Sequence, residues 1–156
     1  YGNKKNLKFK LIGIDANSFT INYAETLSDG YANITYECID IFEAGFSFEA
    51  DIALCTLTVH HFKDNEIDSL LRLMYANVRS GIVINDLQRS KTAYRLFSVL
   101  CTVFGLNTIT REDGLTSILR GFRKAELALF SRKAGFKKYS IAWRWAFRYE
   151  WIIYKL

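Results

Sequence analysis

The fold is decided by residues 11–62, which contain three apolar runs: LIGID at 11–15, NITYECIDI at 33–41 and DIALCTLTVHHF at 51–62. Short apolar runs of this kind are typical of strands that enter a parallel sheet covered on both faces. The first run closes on Asp15, and the second leads to Asp40. The pattern predicts strands near 11–14, 34–38 and 51–56.

Helical patterns separate and follow these runs. Asn17 or Ser18 can cap a helix that extends to about residue 27. Asp64 is the predicted cap of a second helix, whose apolar residues share one face: Ile67, Leu70, Leu71, Met74 and Val78. Residues 91–105 read as an apolar helix, 106–121 as a polar loop or lid, and 123–134 as a helix that ends at Gly135.

The last segments are strands. Residues 81–86 form an apolar run that ends on Asp86, and after Gly135 the apolar period becomes two. The residues of one parity are aromatic, which predicts a closing hairpin packed on the sheet: Trp143, Trp145, Phe147, Tyr149 and Trp151. The alternation of elements predicts an α/β protein with an open, doubly wound, mostly parallel sheet. We expect helices on both faces and an antiparallel C-terminal hairpin, in one domain over residues 1–156.

Composition narrows the functional classes. Half of the 156 residues are hydrophobic, which argues against disorder. Cys38, Cys55 and Cys101 are scattered in apolar runs, so we expect reduced core thiols, no metal site and a cytoplasmic location. The longest uncharged stretch is residues 96–110, shorter than the ~20 residues that a transmembrane helix needs. No membrane span is therefore expected.

The net charge of +5 is unevenly distributed. Residues 1–78 carry 6 Lys/Arg and 11 Asp/Glu, whereas residues 79–156 carry 15 Lys/Arg and 5 Asp/Glu. The basic half could face an acidic or amphiphilic partner, or it could be a solvated surface. The second interpretation is favoured, because the basic residues are dispersed along helices.

Asp15 and Asp40 are the first candidates for a functional site. An acid at the carboxyl end of a buried parallel strand is where doubly wound proteins bind the ribose hydroxyls of nucleotide-like ligands. Asp15 has this position, with a cap or turn role as the alternative. Asp40 follows the next strand and can accept a hydrogen bond from the edge of a base. The two acids together predict a nucleotide-like cofactor.

The other candidates lie near the ends of later strands. On an extended segment His60 and His61 point in opposite directions, so only one can face a pocket. His61 is the candidate general base, with packing as the alternative role of such a pair. Asp86 and Arg89 are candidate substrate contacts, because ligands gather at this edge of such sheets. The alternative for them is a capping acid beside a surface arginine.

These motifs resemble those of the class I S-adenosylmethionine-dependent methyltransferases, from Leu7 onward. Gly13-Ile14-Asp15 is similar to the motif whose acid binds the ribose diol, and Asp40-Ile41 to the motif at the adenine. The run 51–62 resembles the fourth strand and its loop, and 126–136 with the closing strands resembles the family's C-terminal end. The resemblance implies a Rossmann-like fold, S-adenosylmethionine as cofactor, and cofactor contacts from Asp15, Ala16, Asp40, Ile41 and Thr56.

One family motif has no counterpart. The glycine-rich turn that follows the family's first, central strand is absent, and residues 1–5 are too few to supply it. Without this strand, two rows of backbone groups lack partners, at about 1–3 kcal/mol for each buried group. We therefore expect that the chain is N-terminally incomplete, or that a second copy fills the gap in a homodimer.

The resemblance implies methyl transfer to oxygen or carbon of a small acceptor. The apolar segment 91–105 and the lid 106–121 indicate that this acceptor is aromatic or lipophilic. The alternative is a non-catalytic scaffold of the same fold that binds a partner through its basic half. Nucleic acid is not an expected substrate, because Cys55-Thr56-Leu57-Thr58 does not match the Asn/Asp-Pro-Pro-aromatic motif of the family's nucleic-acid enzymes.

Overall fold

The computed structural model describes residues 7–155 of the chain, as two compact units, 7–46 and 47–155. The strands are β1 (Leu11–Asp15), β2 (Ile34–Cys38), β3 (Ala50–Thr56), β4 (Val78–Leu87), β5 (Tyr139–Arg144) and β6 (Arg148–Tyr154). The helices are α1 (Ser18–Leu27), α2 (Asp64–Asn77), α3 (Lys91–Val103), α4 (Thr108–Arg120) and α5 (Lys124–Lys133), with a 3₁₀ turn at Val59–His61.

The first unit is a β-α-β arrangement. β1 and β2 are parallel, in a register that runs from Leu11 opposite Ile34 to Asp15 opposite Cys38. α1 connects them and begins where predicted, because the Asn17 side chain accepts a hydrogen bond from the Phe19 amide at 2.9 Å. The parallel pairing brings the carboxyl ends of both strands to the same edge.

The second unit contains a four-stranded mixed sheet in the order β3-β4-β6-β5. β3 and β4 are parallel, while β6 is antiparallel to both β4 and β5. The predicted α/β class, with parallel strands and an antiparallel C-terminal hairpin, is confirmed. Within residues 7–155 the strands belong to two sheets, in which β1 pairs only with β2 and β3 pairs only with β4.

The core of the second unit lies on one face of its sheet. Alternate residues of β4 and β6 are buried there, including Ile82, Ile84, Trp151 and Ile153. They meet the predicted apolar face of α2, whose Ile67, Leu70, Leu71 and Met74 are buried. Each such side chain contributes about 1.5–3 kcal/mol by leaving water. The buried Trp151 also donates a 3.0 Å hydrogen bond to Ser131.

Three local predictions are corrected. Residues 108–120 form helix α4 in place of a loop, and Asn107 caps this helix by accepting from the Thr110 amide at 2.8 Å. Lys63, not Asp64, is the cap of α2. Of the predicted aromatic stripe only Trp151 is fully buried, whereas Trp145 is 86% exposed. The hairpin turn between β5 and β6 interrupts the alternation, so the aromatic residues at its tip do not reach the core.

Candidate active site

In the first unit, Asp15 and Asp40 both lie at the carboxyl edge of the β1–β2 pair. Asp15 is the last residue of β1, and Asp40 follows the end of β2 by two residues. The Asp15 carbonyl accepts a hydrogen bond from the Ile39 amide at 3.1 Å, which extends the pairing to the segment that carries Asp40. The structure therefore brings these two predicted residues to one edge of one unit.

Local turns hold the two carboxylates, and both side chains are exposed. Asp15 Oδ1 accepts from the Asn17 amide at 2.7 Å, and Asp40 Oδ1 accepts from the Phe42 amide at 2.9 Å. Ala16 is also exposed, and Ile41 is half-buried. Exposed carboxylates are strong acceptors for hydroxyl and amino groups. Both carboxylates can therefore accept hydrogen bonds from a ligand at this edge.

A hollow of about 580 Å³ in the same unit is not at this edge. Its lining includes residues 28–32 and Ile34, at the amino end of β2. Asp40 follows the opposite end of that strand. The candidate site is accordingly an open edge with two acids.

In the second unit, β3 ends at Thr56, whose side chain is exposed. The chain then turns at Leu57, which has a φ of 53°, and Leu57 donates its amide to the Asn85 carbonyl at 2.8 Å. Non-glycine residues with positive φ concentrate at functional sites, where the surrounding structure compensates the strain. This turn directs the chain into the 3₁₀ turn Val59–His61.

The two histidines have different environments, as expected, but in a 3₁₀ turn and not an extended segment. His60 is 5% exposed, and its Nδ1 lies 2.6 Å from Asp86 Oδ1. Since an ionised carboxylate only accepts hydrogen bonds, Nδ1 carries the proton in this pair. The His60 amide also donates to Asp86 Oδ2, at 3.3 Å. His60 is a packing residue held by a buried acid.

His61 is exposed and lies against His60, with 4.1 Å between the ring centroids. Partial burial lowers the pKa of His61 below its ordinary 6.5, and the neighbouring His60 and Arg120 act in the same direction. The charges of Asp113 and Asp86 oppose this shift. The imidazole is consequently neutral at physiological pH, the form in which it can accept a proton.

Asp86 does not have the surroundings predicted for a substrate contact. It is 2% exposed, and Oδ1 also accepts from the Leu87 amide at 2.7 Å. Both carboxylate oxygens thus face protein donors, because a buried acid must satisfy its lone pairs internally. Asp86 positions His60 and the 3₁₀ turn.

Arg89 also contacts protein groups. Its Nε donates to the Gly121 carbonyl at 2.9 Å, and its Nη1 pairs with Glu126 at 3.0 Å. Gly121 lies so close to β4 that a Cβ there would be 2.7 Å from the Leu87 carbonyl oxygen. These contacts hold the segment between α4 and α5 against the end of β4. Arg89 therefore holds the carboxyl end of α4 in place. In this structure it neither pairs with Asp86 nor is free to bind a substrate.

Sequence reasoning missed the pairing of His60 with Asp86. The two residues are 26 positions apart, so no local pattern connects them. The available signal was the parallel arrangement itself, which puts the chain after β3 beside the end of β4.

Among residues 7–155, no group of three or more His, Cys, Asp or Glu side chains could hold a metal ion. None of the helices in that range combines the length and apolarity that crossing a bilayer requires.

The three cysteines differ in exposure, and only Cys101 is buried as predicted for all of them. Cys55 is half-buried near Asp86, and burial together with that charge raises the pKa of its thiol to about 11.

We expect iodoacetamide at pH 8 to label the exposed Cys38 and to leave Cys55 and Cys101 unmodified, since only the thiolate reacts. Mass spectrometry of the native protein measures this, and equal labelling of Cys55 and Cys38 would contradict the described environment.

The fold agrees with solved structures of methyltransferases, although no protein-family model matches the chain and no curated protein matches its sequence. The plantazolicin methyltransferase BpumL has a TM-score of 0.68 at 15% identity; the match covers 99% of this chain and 70% of BpumL. For human N-acetylserotonin methyltransferase the TM-score is 0.64 at 15% identity, with 94% and 40% covered. For magnesium protoporphyrin IX methyltransferase from Synechocystis it is 0.60 at 11% identity, with 97% and 62% covered.

The chain spans only part of each of these three solved structures, from 40% of the human enzyme to 70% of BpumL. At sequence identities of 11–15%, these matches show a similarity of fold alone. The order of parallel strands, helices and closing antiparallel strands in this chain agrees with that fold. The chain therefore has the Rossmann-like fold of the class I S-adenosylmethionine-dependent methyltransferases.

Proposed function

We propose that the protein is an S-adenosylmethionine-dependent methyltransferase that acts on oxygen or carbon of a small aromatic or lipophilic acceptor. The observation that carries this proposal is the position of Asp15 and Asp40, two exposed acids at one edge of a parallel strand pair. Three of the structural neighbours are described as complexes with the cofactor or its demethylated product. The cofactor would supply an activated methyl group.

Four residues of the first unit would hold the adenosyl part of the cofactor. Asp15 would accept hydrogen bonds from the ribose hydroxyls, with Ala16 beside it, and Asp40 would accept one from the adenine amino group. Ile41 is half-buried and would pack on the adenine ring. The resemblance of the motifs also implies a cofactor contact from Thr56, the last residue of β3 in the second unit. These roles follow the resemblance of the motifs and agree with the exposure of the side chains.

The acceptor would be deprotonated by His61. This side chain is exposed, and its lowered pKa keeps it neutral near pH 7. The charges of Asp113 and Arg120 act on His61, so α4 borders the 3₁₀ turn on this side. The acceptor names of the neighbours, N-acetylserotonin and magnesium protoporphyrin IX, support a small-molecule acceptor. That nucleic acid is not the acceptor stays a prediction from residues 55–58. A cytoplasmic location stays a prediction from the cysteines.

Calorimetric titration with S-adenosylhomocysteine tests the proposal. We expect saturable binding to the wild-type protein, and Asp15→Ala should weaken it by about 1–3 kcal/mol, the scale for losing a charged hydrogen-bond partner. Asp29→Ala is a matched control, since it removes an acid near the amino end of β2 and should leave the affinity unchanged. No detectable heat with the wild-type protein would favour the non-catalytic scaffold.

A further inference from the structure

Helix α3 of the second unit carries a second apolar face, and this face is exposed. Leu96, Val99, Leu100, Val103 and Phe104 follow the helical spacing i, i+3, i+4, i+7 and i+8, and we call them the α3 stripe. Each is between 49% and 71% exposed. The helix buries other positions, Ala93 and Cys101. α3 is therefore apolar on its inner and outer sides, which a solvated surface helix is not.

The inner side of α3 is held firmly, so the stripe is not the result of a loosely attached helix. Ser90 caps α3 by accepting from the Ala93 amide at 3.3 Å. Gly114 of α4 packs on Phe97 so closely that a Cβ there would be 2.4 Å from the ring. Any larger residue at position 114 would displace the Phe97 ring. The α3–α4 pair thus presents the stripe on a fixed support.

The area of the stripe is that of an interface. Taking about 150–200 Å² for a large apolar side chain, the five residues expose on the order of 500 Å². Patches of this size on monomers are commonly functional. Two copies of the stripe would bury about 1,000 Å², the lower bound for a specific protein–protein interface. Ile109 at the start of α4, 81% exposed, would add to it.

We propose that the α3 stripe is a homodimer interface, in which two copies of the chain pair their α3 helices antiparallel about a two-fold axis near Val99 and Leu100. The charges of α3 favour this direction. Lys91 and Arg95 lie in its first turns, and the helix contains no acidic residue. Antiparallel pairing puts these cations beside the partial negative charge at the carboxyl end of the other α3. A parallel pair would bring the cations together.

Sedimentation equilibrium of the whole protein over a range of concentrations tests the proposal. We expect a monomer–dimer equilibrium in the wild type. Leu100→Lys keeps a good helix former but puts two ammonium groups near the axis, so it should raise the dimer dissociation constant by at least about thirtyfold. Val99→Cys in a Cys38→Ser background, in which the less exposed Cys55 and Cys101 remain, should form a disulfide between two copies through position 99.

The matched control is Leu54→Lys. Leu54 belongs to β3 and is 71% exposed, so a dimer that formed through the exposed surface of this strand would depend on it. The proposal expects Leu54→Lys to leave the dimer unchanged. A wild-type protein that stays monomeric at every concentration overturns it. A dimer that Leu54→Lys dissociates and Leu100→Lys does not would equally overturn it. Circular dichroism confirms that both variants keep their helices.

Discussion

Asp86→Ala should lower the free energy of unfolding by about 3–5 kcal/mol, the cost of breaking a buried pair by removing one partner. The substitution leaves the buried Nδ1–H of His60 without its acceptor, and the amides of His60 and Leu87 lose theirs. Each unsatisfied buried donor costs about 1–3 kcal/mol. Urea denaturation followed by circular dichroism measures the change.

Two variants make this result specific to the buried pair. Asp51→Ala removes an acid whose side chain is 77% exposed and whose ion pair with Arg79 is long, 3.7 Å, so it should change stability by less than about 0.5 kcal/mol. Asp86→Asn keeps one acceptor oxygen and should lie between the two. If Asp86→Ala were no more destabilising than Asp51→Ala, the assigned role of Asp86 would be wrong.

His61→Gln should reduce kcat by about 10²–10⁴-fold, the range that a positioned general base contributes. Glutamine keeps a polar side chain of similar reach but cannot take up a proton. The assay uses labelled S-adenosylmethionine with a panel of phenolic and lipid-like acceptors. Binding of S-adenosylhomocysteine should stay as in the wild type, which separates loss of the base from loss of the cofactor site.

The pH dependence gives this prediction a second readout. The pKa of His61 is lowered, so the ring is neutral above pH 6.5 and becomes protonated only at lower pH. The rate should be constant between pH 7 and 8 and should decrease below the pKa of His61, since the protonated ring cannot act as a base. His61→Gln should lack this acidic decrease. An identical acidic limb in wild type and variant would exclude His61 as the titrating group.

The elements with strong local signals were predictable from the sequence. The apolar face of α2 and the Asn17 cap of α1 are visible in residues close together in the sequence. Period-two alternation indicated the closing hairpin. α4 was missed because its residues 108–120 are mostly polar and include Gly114. Only the contact of Gly114 with Phe97 shows why the glycine is there. Tertiary packing decided this element.

The candidate site was predictable to the same extent. Asp15 and Asp40 were assigned to one edge because parallel strands bring their carboxyl ends together, and β1 and β2 are parallel. The partners of Asp86 and Arg89 were not predictable. Asp86 binds His60 and Arg89 binds Glu126, and both pairs join residues that are far apart in the chain. The burial of each polar side chain decided whether it faces protein groups or solvent. The sequence indicates this burial only as a tendency of each residue type.

A crystal structure of the protein with S-adenosylhomocysteine shows whether Asp15 and Asp40 bind one adenosyl group. We expect the ribose hydroxyls within about 2.5–3.0 Å of the Asp15 carboxylate and the adenine amino group within hydrogen-bond distance of Asp40. Electron density for the ligand elsewhere, or contact with only one of the two acids, would contradict this arrangement.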